Sequence, residues 1–279
     1  MAFGEPVVGR VDGVEFMIQT LVCKETHWSL EDRGSGPPLL LVHGFPLDHT
    51  MWQAQIEPLS ARYRVIAPDL PGFGNSRTET SDPLTMEFFA DQLAELLGAL
   101  GVSQPVIFCG LSMGGYVALA FWARHPSRVA QLVLCDTRAA ADDETTRRTR
   151  ELTARRVLTE GTEFLVETML PKLFAEQTLA ERPGDVETIA SVIRNTPPES
   201  VAGALRGMAL RPDRTAELPD ITVPATVVVG EHDAITPPEE MDRMAQSMPR
   251  ATFHLLPGAG HMAPWEQPAR FNELMMGSE

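Results

Sequence analysis

Short runs of strand-forming residues, each closed by a turn residue, limit what this chain can become. Six fall in the first half: EFMIQTLV, THWSLED, PLLLVHG, RVIAPDL, PVIFCG and VAQLVLCD. From residue 86 onward the gaps carry helical patterns, as in MEFFADQLAELLGALG, where apolar residues recur three and four apart. The spacing predicts a helix there that stops at Gly101, and a second over Gly115–His125 that Pro126 ends. Strands alternating with helices need right-handed crossovers, so the expected class is α/β with a mostly parallel, buried sheet. The first two runs have no helix between them and should form an antiparallel hairpin. Over residues 137–219 the rhythm breaks into charged, methionine-containing helical segments, and it resumes in ATVVVGEHD and ATFHLLPG. An insertion of that size predicts a helical cap on a core made of residues 1–136 and 220–279.

The 279 residues are 43% hydrophobic and carry a formal net charge of −15. That apolar share supports a substantial core, and no apolar run approaches the roughly 18–20 residues of a membrane span. The acidic balance argues against nucleic acid or an anionic membrane as partner, since both are bound through basic patches. MAFGEPVVGRVDG lacks the basic and apolar segments of a secretion signal. Cys23, Cys109 and Cys135 stand far apart in apolar surroundings without a CxxC pair, as expected of buried thiols in a reducing, cytoplasmic compartment. The seven histidines show no HExxH spacing, so neither metal nor cofactor is expected.

Gly110-Leu111-Ser112-Met113-Gly114 forms a Gly-x-Ser-x-Gly pattern at the junction of a predicted strand and helix. On such a turn the serine takes a strained backbone angle and its hydroxyl projects into open space. The flanking glycines keep the reversing chain clear of itself. Free N–H groups and the positive end of the following helix then face the site, which suits a developing oxyanion. A serine hydroxyl needs a base to take its proton, and the base needs an orienting carboxylate. Asp233 follows the strand VVVG, and His261 sits in a glycine-rich loop after the last strand. The order Ser112, Asp233, His261 is the one this elbow calls for. All three would stand at strand C-terminal ends, where open parallel sheets build their sites. A second oxyanion donor beside the Met113 N–H is expected at Phe45, just after Gly44. His43 reads as structural, Asp69 as a brace for its own loop, Asp48 and His49 as surface loop residues, and His232 as a neighbour of the acid. Asp136 also follows a strand and is the alternative acid.

Five motifs carry a resemblance to the α/β-hydrolases from about residue 27 to 275. They are His43-Gly44-Phe45-Pro46, Asp69-Leu70-Pro71-Gly72-Phe73-Gly74-Asn75-Ser76, Gly110–Gly115, Gly230-Glu231-His232-Asp233 and Gly260-His261. The resemblance implies an eight-stranded, mostly parallel sheet flanked by helices, with a helical cap inserted after the sixth strand. It also implies that some relatives take their acid from the position of Asp136. Serine at the elbow sets the chain apart from epoxide hydrolases and haloalkane dehalogenases, which carry aspartate there. Acyl transfer remains, and with it a carboxylester hydrolase working through an acyl-enzyme.

RNTPPESVAGALRGMALRPD, LCDTRA and GEHDAITPP also resemble the enol-lactonases, and Pro46 resembles the cofactor-free haloperoxidases, which are esterases with perhydrolase side activity. The C–C bond hydrolases share the triad, and some members bind ligands without turnover. A 3-oxoadipate-type lactone would need a cationic partner, for which Arg138, Arg194, Arg206 and Arg211 are available. Met169, Leu170, Phe174 and Met208 are candidates for an apolar acyl pocket or for plain packing. The expected partner is a small ester or lactone, and no oligomeric state is implied.

Overall fold

The computed structural model describes residues 7–11, 14–79 and 82–277. One sheet of ten strands forms its centre: β1 (Val7–Val11), β2 (Val14–Cys23), β3 (Thr26–Arg33), β4 (Pro38–Val42), β5 (Arg64–Pro68), β6 (Arg77–Thr78), β7 (Val106–Leu111), β8 (Val129–Cys135), β9 (Ala225–Gly230) and β10 (Ala251–Leu256). The lateral order is β1-β2-β3-β5-β4-β7-β8-β9-β10, with β6 paired to β3. From β5 to β10 every pairing is parallel. The expected β2–β3 hairpin is present, and every pairing made by β1, β2, β3 and β6 is antiparallel. The central strands are near-continuous apolar runs, PLLLV in β4 and VIFCGL in β7, because helices cover both faces of a parallel sheet. The expectation of eight strands is corrected to ten. β1 has a glycine and an arginine among its valines and β6 is two residues long, so neither shows as an apolar run.

Eleven α-helices accompany the sheet among the described residues. Before β8 lie α1 (Gln53–Ser60), α2 (Met86–Ala99) and α3 (Met113–Arg124). Between β8 and β9 come α4 (Glu144–Glu160), α5 (Glu163–Leu173), α6 (Glu176–Glu181), α7 (Pro183–Asn195) and α8 (Pro198–Leu210); α9 (Pro238–Gln246), α10 (Ala263–Glu266) and α11 (Pro268–Met276) follow. α2 forms as its periodicity demands. The Thr85 side chain accepts from the Phe88 N–H at the start, and Phe89, Leu93, Leu96 and Leu97 bury one face. Its end at Ala99 is set by Gly101, which takes φ +71°. α1 was not expected: QAQIEPLS has two apolar anchors, Ile56 and Leu59, and an internal proline, too little to show a period. No described helix is long and apolar enough to cross a membrane. All three cysteines are free thiols; Cys109 and Cys135 are buried, while Cys23 is only half-buried.

Candidate active site

Ser112 caps α3 with φ +53°, a left-handed value that residues other than glycine seldom adopt. Four hydrogen bonds hold it there. Its N–H donates to the Cys135 carbonyl at 2.9 Å, and its own carbonyl accepts from the Gly115 N–H at 2.9 Å, the Tyr116 N–H at 3.2 Å and the Thr137 hydroxyl at 2.7 Å. A Cβ on Gly110 would lie 2.2 Å from the Gly114 carbonyl oxygen, and one on Gly114 would lie 2.3 Å from that of Val42. The turn closes only because both positions lack a side chain. A Cβ on Gly44 would come within 3.6 Å of the Ser112 Cβ, so the loop carrying Phe45 lies against the serine. Neither the Phe45 N–H nor the Met113 N–H has an acceptor among the described residues.

His261 is 2% exposed and donates from Nδ1 to Asp233 Oδ2 at 2.8 Å. The other carboxylate oxygen of Asp233 accepts from the N–H groups of Ile235 (2.8 Å) and Thr236 (2.9 Å). Burial alone would raise the Asp233 carboxyl, but the charge and hydrogen bond of His261 and the two N–H donors hold it below the usual range. An ionised acceptor fixes the proton on Nδ1 and leaves Nε2 as the nitrogen available to other chemistry. Ser112, His261 and Phe45 all border one cavity of about 770 Å³.

Asp136 lies in the same cluster: a carboxylate oxygen from each aspartate and a His261 ring nitrogen fall within 4.8 Å of one another. It nevertheless makes no hydrogen bond to His261. Its Oδ1 accepts from the Gly230 N–H at 2.9 Å, and its Oδ2 is buried without a partner. Burial, reinforced by the neighbouring Asp233 charge, pushes its carboxyl well above the usual range, opposite in direction to that of Asp233.

Of the residues set aside in the sequence, His43 is fully buried with both ring nitrogens engaged by the backbone. Nδ1 donates to the Gly44 carbonyl and Nε2 accepts from the Leu70 N–H, each at 2.9 Å. Asp69 braces its loop as expected, accepting from the Asn75 N–H at 2.9 Å. His49 is a correction. Expected at the surface, it is 3% exposed and donates from Nδ1 to Asp69 Oδ1 at 2.6 Å. Burial works to lower its pKa, but Asp69 outweighs burial and raises it to about 9. Asp48 is half-buried and caps the short helical turn, accepting from the Thr50 N–H at 3.0 Å. His232 is exposed beside Glu231. Asp48, His49 and Asp69 also bring potential metal ligands within 4.8 Å of one another, as do Asp136, Asp233 and His261. In each set the histidine is already bonded to one carboxylate, Asp69 for His49 and Asp233 for His261.

The four arginines offered as cationic partners do not border the cavity. Arg138 bonds the Ile235 carbonyl and Glu240, Arg194 bonds Glu163 and Glu187, Arg206 bonds Asp82 and Glu151, and Arg211 bonds Asp142. Arg150, Arg156 and Lys172 border it instead. Met169 and Met208 also line it, whereas Phe174 packs in the core and the half-buried Leu170 packs against it. Sequence reasoning missed Glu266. Buried beside the His261 loop, it accepts from the Gly260 N–H at 2.7 Å and from the Ala175 N–H at 2.9 Å. An acid between Trp265 and a Gln-Pro pair was the only local signal.

Comparison with known proteins identifies the family of the fold. The model of a family described as the alpha/beta hydrolase fold matches residues 37–268. A solved thermophilic esterase from Thermogutta terrifontis superimposes with a TM-score of 0.89 at 43% identity, covering 99% of this chain and 97% of its own. The enol-lactonase from Burkholderia xenovorans gives 0.85 at 28% identity, covering 92% and 98%. The pimeloyl-[acyl-carrier protein] methyl ester esterase of Nitrosomonas europaea is 32% identical over 83% of this chain and 91% of its own. With the family match spanning most of its length, the chain belongs to the alpha/beta hydrolase family, in the branch that resembles esterases and enol-lactonases.

Proposed function

We propose that the protein is a serine carboxylesterase acting on small esters, with Ser112 as nucleophile, His261 as base and Asp233 as the orienting acid. The observation that carries this reading is the buried 2.8 Å bond between His261 and Asp233, beside a cavity that Ser112 and His261 share. His261 Nε2 takes the Ser112 proton as the hydroxyl oxygen attacks the ester carbonyl. The N–H groups of Phe45 and Met113 receive the negative charge that develops on the carbonyl oxygen. His261 then gives its proton to the leaving alcohol, activates water, and the acyl group departs from Ser112 as a carboxylic acid. A cavity of about 770 Å³ suits a small molecule.

Residues 137–219 serve as a cap over this site, since α4, α5 and α8 contribute to the cavity wall. A lactone is a cyclic ester and passes through the same steps, so the 28% identical enol-lactonase supports lactones as the second substrate class. The free thiols fit a reducing, cytoplasmic setting. Labelling with a fluorophosphonate tests the reading. The wild type should be labelled and Ser112→Ala should not; an unlabelled wild type, or label retained by the variant, overturns it. A series of p-nitrophenyl esters of rising acyl length, run beside an enol-lactone, then separates the two substrate classes.

A further inference from the structure

The cavity wall has two chemical characters. The loop and helix residues Phe45, Leu205, Met208 and Ile235 make one part of it apolar. The part supplied by α4 is polar apart from Leu152: Thr146, Thr149, Arg150, Thr153 and Arg156 follow one another at helical spacing along a single face. Lys172 of α5 adds a third cation. Among the described residues no carboxylate borders the cavity, although the chain as a whole carries a formal net charge of −15. A cationic wall in so acidic a chain runs against the overall balance.

The positive charge here is not cancelled locally. Arg150 and Arg211 both pair with the one buried carboxylate of Asp142, at 2.5 and 2.6 Å, which leaves one positive charge in surplus. The Arg156 guanidinium sits 3.9 Å from the Phe164 ring centroid, and Phe164 also borders the cavity. Its carboxylate partner, Glu160, is about half exposed and four residues along the same helix, an arrangement that neutralises weakly in water. Lys172 has no ion-pair partner among the described residues.

We infer, resting on the ester-hydrolase reading of this site, that its preferred substrates are esters bearing a carboxylate at the end remote from the scissile carbonyl. The neutral chain lies along the apolar wall while the carboxylate meets Arg156 and Lys172, with Arg150 on the same wall. A terminal methyl in place of the carboxylate gains nothing from those cations.

The test compares two chain-matched probes, monomethyl glutarate and methyl pentanoate, in the wild type, Lys172→Glu, Arg156→Gln and Lys172→Arg. The ratio of kcat/KM for the charged over the neutral ester should fall about tenfold in Lys172→Glu, which swaps one charge for its opposite. It should fall by a smaller factor in Arg156→Gln and hold in Lys172→Arg. In the wild type it should decline as salt is raised from about 20 mM to about 0.5 M. A ratio that is the same in all four proteins and at both salt levels overturns the inference and leaves ester hydrolysis standing. Hydrolysis of neither ester by the wild type defeats the underlying reading instead.

Discussion

Two buried carboxyl groups, Asp233 and Asp136, share a space too small for two negative charges. Asp233 has three N–H donors, from His261, Ile235 and Thr236, whereas Asp136 has one, from Gly230, so the negative charge is better supported on Asp233. Asp233→Asn should therefore lower kcat by about three to four orders of magnitude, as the wrong imidazole tautomer is then favoured. Asp136→Asn keeps a neutral side chain with an acceptor for Gly230 and should stay within a few-fold of wild type. Ester-hydrolysis kinetics on the two variants check this, and the reverse order would move the acid role to Asp136. Stability supplies a second check. The raised Asp136 carboxyl takes up a proton on folding between the unfolded value of about 3.9 and its higher folded value, which disfavours the folded state increasingly across that window. Asp136→Asn should thus raise Tm at pH 8 and change it little at pH 4.

At the scale of elements, the loops after β4 and β5 are joined by a buried ion pair. His49 donates to Asp69 from its ring and from its backbone N–H, and Asp69 also takes the Asn75 N–H. The folded pKa of His49, about 9, stands above its unfolded value of about 6.5. Its contribution is complete below pH 6.5 and is lost as pH rises through 9. Burial pulls Asp69 upward, but His49 overrides it and holds the carboxyl below the usual range. That contribution is present above about pH 3.9 and is lost as the pH falls through the folded value. The pair therefore braces the Phe45 loop between about pH 4 and pH 9. His49→Ala strands a buried carboxylate and should cost about 3–5 kcal/mol in urea unfolding at pH 7, with a smaller difference at pH 10.

Across the whole molecule, hydrogen bonds tie the helical segment after β8 to both loops that flank the serine. Thr196 donates to the Pro46 carbonyl beside Phe45, and the Leu173 carbonyl accepts from the Met262 N–H beside His261. Glu266 completes the second tie by bonding Ala175 of the helical segment and Gly260 at once. Glu266→Ala removes both acceptors, freeing the His261 loop. We expect about a tenfold loss in kcat with KM little changed, and faster amide exchange at Gly260 and Ala175.

Strand rhythm, the glycines at the turn, and the strand-end positions of Ser112, Asp233 and His261 were legible in the chain, because burial period and backbone sterics are local properties. Low apolar content hid α1, β1 and β6. Proximity was illegible: which aspartate bonds His261, that His49 is buried, and that Arg150, Arg156 and Lys172 border the cavity while the four arginines named as available do not. Each of these depends on distances between segments far apart in sequence, and such distances come into being only when the elements pack against one another.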